Sequence, residues 1–338
     1  MKKVISILMA LAMVISFAAC GTAKNESSAP VSSASSELSK LDVACNVYAL
    51  KGPTGVGMVS LMDKADNGEG LLNYNFNLAA ANDEIVAKLV NKEADIAAVA
   101  TNLASTLYKK TNKGIKVLAV NTLGVLCLVT KGEEISSVAD LKGKTVYATG
   151  QGANPEYILN YVLSKNGLTA GTDVTVNFVS QPEELVTTVV SNENAIVLAP
   201  QPVATTITIK DKNAKIALDF NDEWDKVSDS KLVMGCIVVR NEYLEQNPEA
   251  VKAFMQDYAE SVKAVNSDTE TAGQLCEKYG IVASAAIAKA AIPYCNIVFE
   301  DGKELKTDLS AYLKFMFDAS PASVGGELPD DNFYYEAK

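Results

Sequence analysis

Histidine is absent from this chain of 338 residues. Without imidazole there are no His-Glu-x-x-His zinc sites, no Ser-His or Cys-His nucleophile pairs and no imidazole metal cages, and most hydrolase chemistry goes with them. Arginine is nearly absent: Arg240 stands alone among 30 basic residues, so one guanidinium at most can clamp a carboxylate or sulfonate in bidentate fashion. Tryptophan also occurs once, at Trp224. Positive charge is in deficit, with 41 acidic residues and a formal net charge of −11, a balance that repels nucleic acid. The composition points to no catalytic residue, no metal ligand and no cofactor.

What is present begins at the N-terminus. Lys2 and Lys3 precede an apolar run over residues 4 to 17, which ends in Ala18-Ala19-Cys20-Gly21. That order is a lipobox: residues 1–19 read as an export signal, and cleavage leaves Cys20 as a lipidated N-terminus. Phe17 stands where such boxes usually carry Leu. A spanning anchor is the alternative, but the run falls short of the roughly 20 apolar residues a membrane helix needs. Loss of Lys2 and Lys3 with every acid retained lowers the net charge from −11 to −13. Residues 20–40 hold the lipidated cysteine and a Ser/Ala-rich stretch with too little apolar surface to offset chain entropy, which reads as a flexible tether. The expected location is the extracytoplasmic face of a bacterial cell membrane, held by lipid. Six cysteines become five after lipidation, so at least one thiol stays free. Cys45, Cys127 and Cys236 lie in apolar strand-like runs and read as buried thiols, while a Cys276–Cys295 pair is left open.

From residue 41 the chain repeats itself at an offset of one hundred. Residues 82 to 121 align without a gap on 182 to 221, with ten identities in forty, among them Glu84/Glu184, Ile96/Ile196, Thr106/Thr206 and Asn121/Asn221. The pattern outweighs the identities. Ile85, Val86, Leu89 and Val90 form an apolar helix stripe that Leu185, Val186, Val189 and Val190 repeat, each followed by a strand and a polar or Pro-containing break. Upstream, residues 41 to 50 and 141 to 149 read as strands entering the turns 51 to 55 and 150 to 154. Thr54 is placed to cap the first following helix, and Asn154 the second with Pro155 at its first position. Each unit reads strand, helix, strand, helix, strand, an α/β pattern with parallel strands. Apolar runs at 122 to 130 and 232 to 240 would carry the chain between the units, giving a first lobe of 41–126 and 235–338 around a second of 127–234.

Ligands of parallel α/β units bind beyond the carboxyl ends of the strands. The candidate contacts are Tyr48, Lys51, Gly52, Pro53, Thr54, Thr101, Asn102, Gln151, Gly152, Asn154 and Gln201. Trp224 joins them with two roles open, packing at the hinge or stacking on ligand. Neither Gly-containing turn ends in Gly-Lys-Ser/Thr, so no phosphate-binding P-loop is read.

The segments Lys51-Gly52-Pro53-Thr54-Gly55-Val56-Gly57-Met58, Asp140-Leu141-Lys142-Gly143-Lys144-Thr145-Val146-Tyr147, Gly152-Ala153-Asn154-Pro155-Glu156-Tyr157 and Gly325-Gly326-Glu327-Leu328-Pro329 carry a resemblance. The chain is similar to solute-binding lipoproteins of ABC importers, in the branch that includes alkanesulfonate-, nitrate- and thiamine-precursor-binding proteins. The resemblance implies a two-lobed type II periplasmic-binding fold with two interlobe crossovers; in that arrangement the crossover strands run side by side, which implies Cys127 and Cys236 within the roughly 4 to 7 Å that a disulfide spans, or packed as two thiols on one sheet. It further implies a monomer that delivers a small solute to an ABC permease, with contacts at the turns named above. A surface lipoprotein that meets a partner protein is the second reading. An enzyme on the same fold is a third, disfavoured because such enzymes are cytoplasmic and this chain carries an export signal. With Arg240 expected at the surface, acceptor atoms of the solute fall to backbone N–H groups at the Thr54 and Asn154 helix starts, to Asn102 and Gln201, or to Lys51. Tyr48, Tyr147 and Tyr157 add aromatic faces near the same turns. That chemistry suits a small neutral or aromatic solute.

Overall fold

The computed structural model describes residues 39–79 and 82–336, so Cys20, the signal segment and the tether up to residue 38 lie outside the described residues. The first unit runs β1 (Ala44–Leu50), α1 (Pro53–Val56), α2 (Val59–Asp66), β2 (Asn73–Ala79), α3 (Asn82–Val90), β3 (Ile96–Ala100), α4 (Thr101–Lys110) and β4 (Ile115–Thr122). The second runs β5 (Leu126–Lys131), β6 (Thr145–Ala148), α5 (Asn154–Lys165), β7 (Thr175–Phe178), α6 (Pro182–Ser191), β8 (Ala195–Pro200), α7 (Val203–Lys210), β9 (Ala214–Asp219) and α8 (Phe220–Asp225). The chain then returns through β10 (Gly235–Arg240), α9 (Asn241–Gln246), α10 (Pro248–Ser267), α11 (Thr269–Lys278), α12 (Ala285–Ala291), β11 (Ile297–Glu300) and α13 (Gly302–Ala319). No helix of the described residues is long and apolar enough to cross a membrane.

Two mixed sheets result. Their orders are β11-β4-β10-β3-β1-β2 and β7-β6-β8-β5-β9. Aligning β2-β1-β3-β10-β4 with β7-β6-β8-β5-β9 matches β1, β2, β3 and β4 to β6, β7, β8 and β9, their partners at the offset of one hundred, and sets β10 against β5. In each sheet the antiparallel strand in this alignment, β10 or β5, is the one that has just arrived from the other unit. Central strands are buried on both faces, which explains why β3 reads Ile-Ala-Ala-Val-Ala without polar alternation. Ile96 and Ala98 pack with α2 and α10, while Ala97 and Val99 join a second core that continues through α4, α13, α5 and Trp224 into the other sheet. The far face of the second sheet is covered by α6 and α7, whose repeated stripe supplies Leu185, Val186 and Val189.

This pseudosymmetry overturns the expected neighbourhood of Cys127 and Cys236. Cys127 faces Ala199 on β8 and Cys236 faces Val99 on β3, so the two thiols occupy equivalent positions in different sheets. Both are free, as are Cys276 and Cys295, and all are buried. The error came from reading residues 122 to 130 as one strand. The run breaks into β4 and β5, and the crossing is the short segment 123 to 125 between them.

The two crossings do run together, a few residues from the cysteines. Met234 donates its N–H to the Thr122 carbonyl (2.9 Å). Gly124 donates to Asn221 Oδ1 (3.1 Å) and accepts from Asn296 Nδ2 (2.6 Å). Leu123 donates to the Asn296 carbonyl (3.0 Å). Asn296 holds this place at φ 46°, a left-handed conformation that Asn tolerates better than most residues. A Cβ on Gly124 would come within 2.8 Å of both Asn221 Oδ1 and Leu232 Cδ2, so only glycine fits between the crossings. Farther along the second crossing, Lys231 is bonded by Glu300 and Glu304 (2.7 Å each) and by Asp308 (3.0 Å). Gly124→Ala should therefore lower stability by about 1–3 kcal/mol, the usual cost of overpacking, in urea unfolding followed by circular dichroism. An unchanged midpoint would show that the crossings are not tightly packed.

Candidate functional site

Each expected turn sits at the carboxyl end of a parallel strand, β1, β3, β6 or β8, and the four divide equally between the sheets. The first turn is set by Gly52 at φ 94°, a region that disfavours any side chain. Gly52 is the N-cap of α1 and donates its N–H to the Ile281 carbonyl (3.0 Å). Thr54 is thus not the cap that the sequence suggested: it lies inside a four-residue helix that starts at Pro53, and α1 has no side-chain cap. The Thr54 carbonyl accepts from Asn121 Nδ2 (3.0 Å), and its methyl group would lie 2.9 Å from a Cβ on Gly235. Lys51 is exposed, and Tyr48 is half-buried on β1 opposite Asn77 and Ala97.

The turns after β3 and β8 carry the repeat-related pair Thr101 and Gln201. Thr101 is buried, donating Oγ1 to the Val233 carbonyl (2.9 Å) and its N–H to that of Met234 (3.3 Å). Gln201 is 2% exposed, donates its N–H to the Val125 carbonyl (2.9 Å) and accepts from Thr205 Oγ1 (2.8 Å). Its Nε2 donates to Cys127 Sγ (3.4 Å), where burial first and Asp219 next push the thiol up to about 12. Both residues are therefore fully engaged by the protein, and both grip a crossing. Asn102 is half-buried, with Nδ2 3.5 Å from the Ser323 carbonyl.

In the turn after β6, Gly150 and Gly152 take φ 76° and 71° around the exposed Gln151. Ala153, not Asn154, is the N-cap of α5, so Asn154 is the first helical residue and Pro155 the second. Asn154 is 9% exposed, and its Oδ1 meets no hydrogen-bond donor. Gly152 donates its N–H to Glu156 Oε2 (2.5 Å) and accepts from the Tyr157 hydroxyl (2.8 Å).

Trp224 lies apart from these turns. It is fully buried, donates its indole N–H to the Ser230 carbonyl, and packs on Tyr161 and Phe315 with ring centroids 4.8 Å away in each case. It forms one wall of a cavity of about 680 Å³ between α5 and α13. Arg240 is not on the surface either. Its side chain is 13% exposed, bonding Asp95 Oδ1 (2.7 Å) and the Ala94 carbonyl (2.8 Å). Asp95 precedes β3, so the one guanidinium sits at the end of the central strands opposite the turns. The sequence reasoning missed Asn121, Asn221 and Asn296. Two of them were visible, since Asn121/Asn221 is an identity of the repeat and each braces a turn or a crossing.

Residues 74–272 match the family described as NMT1/THI5 like, and the chain belongs to that family. Comparison with the curated proteins finds no match. Among solved structures the chain is similar to an ABC transporter protein from Parabacteroides distasonis, with 23% identity, a TM-score of 0.74, and 88% of this chain and 100% of that one covered. It is also similar to the periplasmic aliphatic sulphonate binding protein SsuA from Escherichia coli, with 14% identity, a TM-score of 0.68, and 88% and 94% covered. A putative periplasmic sulfonate-binding SsuA from Methylobacillus flagellatus shows 16% identity, a TM-score of 0.61, and 88% and 92% covered. At these identities the likeness shows the fold, and that fold is the periplasmic-binding fold expected from the sequence.

Removing the Arg240 head leaves Asp95 buried with its charge partner gone. Arg240→Met should cost about 3 kcal/mol or more in denaturant unfolding while leaving solute affinity unchanged. Loss of solute binding with stability intact would place Arg240 in the site.

Proposed function

We propose that this protein is the extracytoplasmic solute-binding component of an ABC importer, which holds a small solute between two lobes and delivers it to the permease. The observation that carries the reading is the set of turns after β1, β3, β6 and β8, two per unit at equivalent strand ends, with Thr101 and Gln201 bonded to the crossings. Solute held there presses on turns whose buried Thr101 and Gln201 grip the crossings, so binding and closure are mechanically linked. The family, the fold and the printed descriptions of the similar structures as ABC transporter and sulfonate-binding proteins support the same reading. The lobes are 41–126 with 235–338, and 127–234, and the solute contacts are Tyr48, Lys51, Gly52, Pro53, Thr54, Asn102, Gln151, Gly152 and Asn154, backed by Thr101 and Gln201. The mature chain is anchored through lipid on Cys20. The turn residues present amides, hydroxyls and the Lys51 ammonium, a set suited to holding a small neutral or aromatic solute and lacking a nucleophile with a base. Arg240, committed to Asp95, is not available to clamp a free carboxylate.

A deletion strain should lose uptake of the solute, and the wild-type gene should restore it. Cys20→Ala should abolish palmitate labelling of the protein. The solute is found by thermal shift against vitamins and heterocycles, amino acids, sulfonates and nitrate. A ligand at a hundredfold excess over its Kd stabilises by about 2.7 kcal/mol, a readily measured shift. Uptake that persists in the deletion strain, with a solute known to bind, would overturn the transport role.

A further inference from the structure

The start of α5 is occupied by the helix's own carboxylate. Of the four helices that follow the proposed solute turns, α1, α4 and α7 carry no acidic residue in the first turn, and α5 carries Glu156. Helix starts attract oxyanions because their N–H groups point outward and the positive end of the helix dipole lies there. Glu156 takes that role itself, with Oε2 on the Gly152 N–H at 2.5 Å. The contact differs from an ordinary capping box. On α6, Glu184 reaches back to the N-cap residue Gln181 (2.9 Å), whereas Glu156 reaches one residue beyond its N-cap, onto the glycine turn. The Tyr157 hydroxyl holds the Gly152 carbonyl from the other side, so the turn is fixed with this N–H committed. Space over the turn is open, since a Cβ on Gly152 would meet nothing within 4 Å. Beside it, Asn154 is 9% exposed with an Oδ1 that lacks any donor, a group that a bound molecule can complete.

We infer that Glu156 is a specificity-determining residue that closes this helix start to oxyanions and leaves the site to neutral or cationic solutes bearing N–H or O–H donors. The inference rests on the reading of the four turns as the solute site. An incoming sulfonate or carboxylate would have to displace Glu156 from Gly152 or sit beside it, and two negative groups a few ångströms apart repel strongly away from bulk water. A donor-bearing solute meets the reverse field: the Glu156 carboxylate attracts its N–H, and Asn154 Oδ1 accepts a hydrogen bond.

The test uses ethanesulfonate, titrated calorimetrically into the protein, Glu156→Gln and Glu156→Ala, with melting temperatures recorded for each. Glu156→Gln keeps the shape and an acceptor but removes the charge, and Glu156→Ala removes both. The expected result is a gain in ethanesulfonate affinity of about tenfold or more in both variants. A third arm adds Lys51→Ala to Glu156→Gln, which takes away the cation of the facing unit. If the gained binding weakens there, both the specificity role and the two-lobed site stand. If the gain is untouched by Lys51→Ala, the specificity role stands and the shared site between the units falls. No gain in folded variants, or a parent protein that binds ethanesulfonate as tightly as Glu156→Gln, overturns the inference. A change in melting temperature without a change in anion affinity would mark Glu156 as a helix cap alone and overturn it too.

Discussion

Gly124 is held from both sides, by Asn221 of the second unit and Asn296 of the first, and the architecture depends on that grip. Two α/β units of this size would otherwise be joined by two unconnected loops, and their relative placement would be soft. Instead the Met234 to Thr122 bond ties one crossing to the other, and the absence of a Cβ at 124 lets Leu232 close over them. Two asparagine side chains carry half of the hydrogen bonds, Asn221 accepting from Gly124 and Asn296 donating to it. The core reinforces it, since one apolar cluster continues from β3 and β4 through α13 to Trp224 and α5.

The turns proposed to hold solute are built onto the same point. Thr101 bonds residues 233 and 234, and Gln201 bonds residue 125, so the turns after β3 and β8 each hold one crossing. This arrangement follows from the repeat: each unit receives its antiparallel strand from the other, and that strand lies beside β3 or β8. A turn that closes on solute, as proposed, therefore bears on the residues that end a crossing and lead into the neighbouring strand. On the proposed function, coupling of capture to closure needs no long pathway, because the turns and the crossings are adjacent in the hydrogen-bond network.

Much of the fold was legible in the sequence because it is written twice. Stripes such as Ile85-Val86-Leu89 and Leu185-Val186-Val189 report helix faces, and their identical spacing reports equivalent roles, so the order through β3 and β8 followed from pattern, while α4 and β4, and α7 and β9, lay beyond the five elements expected of each unit. Strand ends were less legible. Residues 123 to 129 hold no polar side chain, and hydropathy carries no mark of the three-residue crossing among them, which misplaced Cys127 and Cys236. Within the candidate site, the placement of the turns at strand ends was readable and their local geometry was not. Thr54 and Asn154 are good capping residue types, yet φ 94° at Gly52 and the N-cap at Ala153 shift each helix start by one or two residues. Long-range polar pairings, Arg240 with Asp95 or Gln201 with Cys127, depend on which strands become neighbours and leave no local signature.

A crystal structure with a solute that raises the melting temperature tests the two-lobed capture most directly. Solute density should lie between the turns at 52 to 54 and 101 to 102 of one unit and 151 to 154 of the other. The crossings at 122 to 125 and 232 to 234 should keep their mutual hydrogen bonds. Density in the cavity between α5 and α13 beside Trp224, with the four turns untouched, would contradict it.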